Sequence, residues 1–104
     1  MTYTDDIRYK IELDFGDKAS DVCKILDEAI SRTDYLNSNR IIRCILFLAG
    51  KNIDNLKKNI QTAEYDPRDV MFWAEYTNRG QGQTPTRIRD FNKTFEESET
   101  VIKR

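Results

Sequence analysis

Histidine is absent from the chain. That removes the commonest general base, and with it every Ser-His or Cys-His pair that would activate a nucleophile. Cysteine is scarce: Cys23 and Cys44 are the only two, and without histidine they cannot complete the usual two-Cys two-His zinc site, so no metal is expected. Both lie among apolar residues at helical spacing and read as small core hydrophobes. Long apolar runs are missing too. The longest, Cys44 to Ala49, falls far short of the ~20 residues of a membrane helix. The opening residues MTYTDDIRYK carry no basic region followed by an apolar stretch, so no secretion signal is expected and the protein is expected to be cytoplasmic. Neither charge dominates: 17 Lys and Arg stand against 18 Asp and Glu, for a net charge of -1. No whole-molecule field therefore draws it to nucleic acid or to an anionic membrane, and any such contact needs a local patch.

What is present suits one small packed domain spanning 1–104. A chain of 104 residues buries roughly 65% of its unfolded surface, enough for one core. The composition, 38% hydrophobic with 11% aromatic and 34% charged, argues against global disorder.

Hydrophobic spacing divides the chain. Ile7, Tyr9, Ile11, Leu13 and Phe15 alternate with charged Arg8, Lys10, Glu12 and Asp14, which predicts a half-buried strand within an extended segment, 1–16. The rival reading is a helix with Asp5 and Asp6 in its first turn and Gly16 beyond its end, in which the apolar side chains would fall into two sectors. A strand needs a partner, and the same strand of a second copy is one candidate. The helical core is expected over 17–76. Val22, Ile25, Leu26, Ala29 and Ile30 mark a helix over about 18–33. The near-continuous apolar run from Ile41 to Ala49, preceded by capping oxygens at 37–39 and closed by Gly50, predicts the central helix over 39–49. Asn52 caps a third helix carrying Ile53, Leu56, Ile60 and Ala63 and ending near Tyr65. Asp66-Pro67 opens a fourth to Tyr76, because Asp caps and Pro fits the first helical position. Glycine-rich 77–86 reads as a flexible loop, and Ile88, Phe91, Phe95 and Ile102 predict a C-terminal helical arm within 87–104. The expected fold is mainly α: a small bundle of four to five helices with a short N-terminal strand and a C-terminal helical arm.

Chemistry is sparse in this chain. Asp66, Asp69 and Glu75 could form a carboxylate site, but capping by the first two and a salt bridge for the third explain them. Gly80-Gln81-Gly82 lacks the spacing and the preceding strand of a phosphate loop. No catalytic residue, cofactor or metal ligand is assigned. Arg79, Arg87, Arg89 and Lys93 outweigh Asp90 to leave +3 over 79–93, a candidate contact for phosphates or RNA. Arg43, on so apolar a helix, needs a carboxylate, with Glu75 or Asp69 as candidates. The aromatic cluster of Tyr65, Phe72, Trp73 and Tyr76 supplies core, and beyond that a contact surface. The leading expectation is a protein-interaction module or homodimer using Phe72, Trp73, Tyr76, Ile88, Phe91 and Phe95. A nucleic-acid-associated regulator acting through 79–93 is the alternative, and an enzyme without histidine comes third.

Overall fold

The computed structural model describes residues 3–77 and 84–98. The fold is mainly α. Five α-helices run in chain order among these residues: α1 Asp5–Phe15, α2 Ala19–Arg32, α3 Asn39–Ala49, α4 Ile53–Tyr65 and α5 Pro67–Glu75. They are followed by two short strands, β1 Tyr76–Thr77 and β2 Thr86–Arg87, which pair antiparallel with Tyr76 opposite Arg87. None of the described helices is long and apolar enough to cross a membrane.

Four of the helices form where local chemistry places them. Ser38 accepts a hydrogen bond from the Ile41 amide at the start of α3, Asn52 from the Asn55 amide at the start of α4, and Asp66 from the Arg68 amide at the start of α5, where Pro67 occupies the first turn. Each side chain satisfies an amide with no intrahelical acceptor. Gly50 ends α3 in the left-handed conformation, φ 56°, which glycine adopts without steric cost. α3 is the central element, packed against α1, α4 and α5. Its residues Ile41 to Leu46 and Ala49 are buried, while Phe47 and Leu48 are half-buried. Cys44 belongs to this core and burial pushes its thiol far up; Cys23 is half-buried, and burial raises its thiol as well.

Residues 7–15 correct the expected N-terminal strand: they are α1. At 100° per residue, Ile7, Ile11 and Phe15 fall on one stripe, and all three are buried. Tyr9 and Leu13 point the other way and remain 66% and 63% exposed. The alternation was thus the trace of a helix that is apolar on two faces. Packing against α2 and α3 gave the inner stripe its cover, whereas no described strand lies beside it. The self-pairing strand falls with this correction.

The C-terminal arm is the second correction. Residues 84–98 contain β2 and a series of turns, with no α-helix. Their polar side chains capture the amides that a helix would use: Asp90 Oδ1 accepts from Asn92 N and Thr94 Oγ1 from Glu97 N, while the Ser98 hydroxyl donates to the Phe95 carbonyl. This segment is held in the core: Phe91 is 1% exposed, with its ring 5.4 Å from Phe47 and 5.5 Å from Phe95. Thr77 and Thr86, at the ends of the expected loop, pair as strand. Residues 78–83, including Arg79 and the glycine pair, and 99–104, including Ile102, lie outside the described residues.

Candidate interaction site

Two ionic knots settle where three of the charged candidates go, Glu75, Arg87 and Arg43. Glu75 closes α5 with its side chain fully enclosed. Its carboxylate accepts from Arg40 Nε at 3.0 Å and Nη2 at 2.5 Å, from Arg87 Nη2 at 3.3 Å, and from the Phe91 amide at 2.9 Å. Its backbone carbonyl also takes the amides of Ile88 and Arg89. The expected salt bridge for Glu75 is present, and its partners are Arg40 and Arg87. Each of the four lone-pair sites of this carboxylate thus meets a donor.

Arg43 corrects its expected partner. It pairs with Asp6 of α1, not with Glu75 or Asp69: Nε lies 2.8 Å from Oδ2 and Nη2 3.1 Å from Oδ1, while Nη1 donates to the Phe91 carbonyl at 3.0 Å. Asp6 also accepts from the Phe95 amide at 3.1 Å. Burial opposes ionisation of Asp6, but the Arg43, Thr4 and Phe95 donors outweigh it and hold the carboxyl below its ordinary 3.8. Because the native value lies below the unfolded one, this contribution is complete well above pH 3.8 and disappears as pH falls through the native value. Stability is therefore expected to drop on acidification below pH 3.8, and Asp6→Asn is expected to flatten that drop in thermal melts recorded across the acid range.

The expected basic patch is not assembled as one free surface. Arg87 donates to Glu75 and to Asp90 Oδ1 at 2.7 Å. Arg89 lies 4.4 Å over the Phe47 ring and donates to the Ala74 carbonyl. Lys93 is exposed. The expected interface residues likewise divide. Phe91 is core, and Ile88 and Phe95 are half-buried beside it. Phe72 and Trp73 of α5 stay together with Tyr76, the first residue of β1: Phe72 stacks on Tyr76 at 5.5 Å and meets Trp73 edge-on at 6.2 Å. Trp73 is 54% exposed.

An open groove of about 650 Å³ runs beside these rings, lined by Arg40, Arg68, Asp69, Phe72, Tyr76 and Pro85. Asp66 caps α5 and holds Arg68 at 3.0 Å, so it serves structure as expected. Among the described residues, no cluster of three or more Cys, Asp or Glu side chains could hold a metal ion. Reading from residues alone missed the outer face of α1, where Tyr9 and Leu13 are exposed. It also missed Asp6 as the partner of Arg43; the signal available was the pair of apolar sectors that a helix would create. No protein-family model, curated protein or solved structure matches the chain.

Proposed function

We propose that the protein is an interaction module that pairs with a second copy of itself through the aromatic face of α5. The observation that carries this reading is Trp73, 54% exposed on a helix whose neighbouring Phe72 and Tyr76 border an open groove. Tryptophan and tyrosine supply large contact areas at low entropic cost and dominate the energetics of protein interfaces. Charge favours a second copy over a strongly charged partner. Arg68 and Asp69 adjoin on this face, and across a twofold axis such a pair meets its own opposite.

A cytoplasmic setting suits free Cys23 and Cys44, since thiols persist where the environment is reducing. Nucleic-acid binding draws less support, because Arg87 and Arg89 are engaged internally and only Lys93 of the four candidates is both described and exposed.

Sedimentation velocity across a micromolar to millimolar series tests the reading. The wild type is expected to double in mass, and Trp73→Glu is expected to weaken the pairing by at least about tenfold, as loss of a central anchor does. Tyr9→Glu, on α1, should leave it unchanged. A monomer throughout the series, or a dimer indifferent to Trp73→Glu, would overturn the proposal. A nuclease-sensitive capture from extract would instead favour nucleic acid.

A further inference from the structure

The outer face of α1 is one side of a second groove, of about 580 Å³, where Asp5, Tyr9, Lys10 and Leu13 meet Phe95 and Glu96. Leu13 is the one large aliphatic side chain left exposed among the described residues, and Tyr9 is exposed one turn before it. The facing wall is tied to α1: the Phe95 amide donates to Asp6 Oδ2 at 3.1 Å, and the Lys10 ammonium lies 5.5 Å over the Phe95 ring. The groove is thus preformed, and an occupant need not organise it.

The charge at its rim is of one sign. Asp6 is neutralised by Arg43, and Lys10 by Asp14. That leaves Glu96, which is exposed, and Asp5, whose only ion pair is an exposed one with Arg8 that contributes little. A matching occupant brings apolar side chains for Tyr9, Leu13 and Phe95, and cations for Asp5 and Glu96. The chain carries such a segment beside the groove. After Ser98 it continues as Glu99, Thr100, Val101, Ile102, Lys103 and Arg104, an apolar pair followed by two cations that outweigh Glu99. Ser98 is buried with its carbonyl held by the Asp90 amide, two positions past Glu96 of the rim. Four extended residues span about 13 Å, twice the ~6 Å rise from Tyr9 to Leu13, so the length from Ser98 to Ile102 is sufficient.

We propose that this groove is the docking site of residues 99–104 of the same chain. Val101 and Ile102 cover Tyr9, Leu13 and Phe95, while Lys103 and Arg104 meet Asp5 and Glu96. Direct linkage through Ser98 makes the docking intramolecular, so a small apolar contact suffices where a separate peptide of the same composition would bind weakly. The apolar outer face of α1 is thereby covered by the chain itself. The docking does not depend on the α5 face.

Nuclear Overhauser contacts in the full chain provide the test. Contacts of the Val101 and Ile102 methyls with the Leu13 methyls and the Tyr9 ring are expected, persisting on dilution and absent between copies when labelled and unlabelled chains are mixed. Val101→Ser with Ile102→Ser is expected to shift the amides of Tyr9, Leu13 and Phe95. Leu13→Ser, at an exposed position, should melt close to wild type and still lower the docking equilibrium at least about tenfold. That loss is read as movement of the 101–104 amide shifts toward those of a free peptide spanning 99–104. The proposal falls if Val101 and Ile102 make no contact with α1, if their contacts arise only between copies, which would make a second chain the occupant, or if Leu13→Ser leaves the 101–104 shifts unmoved.

Discussion

Glu75→Ala is expected to lower the free energy of unfolding by about 3–5 kcal/mol, the cost of breaking a buried ion pair by removing one partner. The reason lies in what would remain. Arg40 would lose the carboxylate that neutralises it, Arg87 would keep only Asp90, and the buried Phe91 amide would lose its acceptor. Against a total stability of roughly 5–15 kcal/mol for a domain of this size, that is a large fraction. Urea denaturation with an unchanged slope would measure it. Glu75→Gln is expected to cost less, since an amide oxygen still accepts from Phe91 N and one arginine, though without the charge. Glu75→Leu combined with Arg40→Leu should recover part of the loss, because replacing both charges leaves fewer orphaned groups. A Glu75→Ala variant within about 0.5 kcal/mol of wild type, the range of ordinary surface changes, would show that this knot does not hold the C-terminal segment.

Phe91→Ala carries the second large effect, about 3–5 kcal/mol for truncating a fully buried aromatic. The side chain is 1% exposed and lies against Phe47 of α3 and Phe95. Its backbone is gripped on both sides, the amide by Glu75 and the carbonyl by Arg43. Were residues 87–98 a detachable arm, the substitution would cost under about 0.5 kcal/mol. Cooperative loss of the whole fold, with fluorescence of Trp73 and far-ultraviolet circular dichroism changing together, is the outcome expected of a core residue. Phe91→Leu retains most of the volume and should cost less.

The two knots share a geometry that ties the ends of the described chain to its centre. Asp6 reaches Arg43 across 37 positions and the Phe95 amide across 89, and Glu75 reaches the Phe91 amide across 16. Both carboxylates hold backbone groups of the turn-rich segment 84–98, which makes few regular hydrogen bonds of its own. Charged groups buried among apolar helices are tolerated because every lone pair described on Glu75 and Asp6 meets a donor, and Arg43 is satisfied in turn by Asp6, Thr4 and the Phe91 carbonyl.

α2 to α5 were legible in the residues. Val22, Leu26 and Ala29 bury at the spacing that predicted them, as do Leu56, Ile60 and Ala63. Ser38, Asn52 and Asp66 cap the helices they precede. α1 was not legible as a helix, because Tyr9 and Leu13 mimic the alternation of a strand until their exposure is seen. The aromatic face of α5 was partly readable: Phe72, Trp73 and Tyr76 stay together, but Phe91, placed with them by its apolar character, turns inward.

By itself the sequence determined the helices whose signals are local: an apolar stripe returning every three or four residues, a capping oxygen before it, and a proline or glycine at its boundary. Only the tertiary structure decided which face of α1 is covered, which carboxylate neutralises Arg43, and whether the segment after β2 coils or lies down on the core. Those outcomes depend on groups far apart in the chain, and the energy of a buried charge or ring belongs to the partner it meets, which local spacing does not encode.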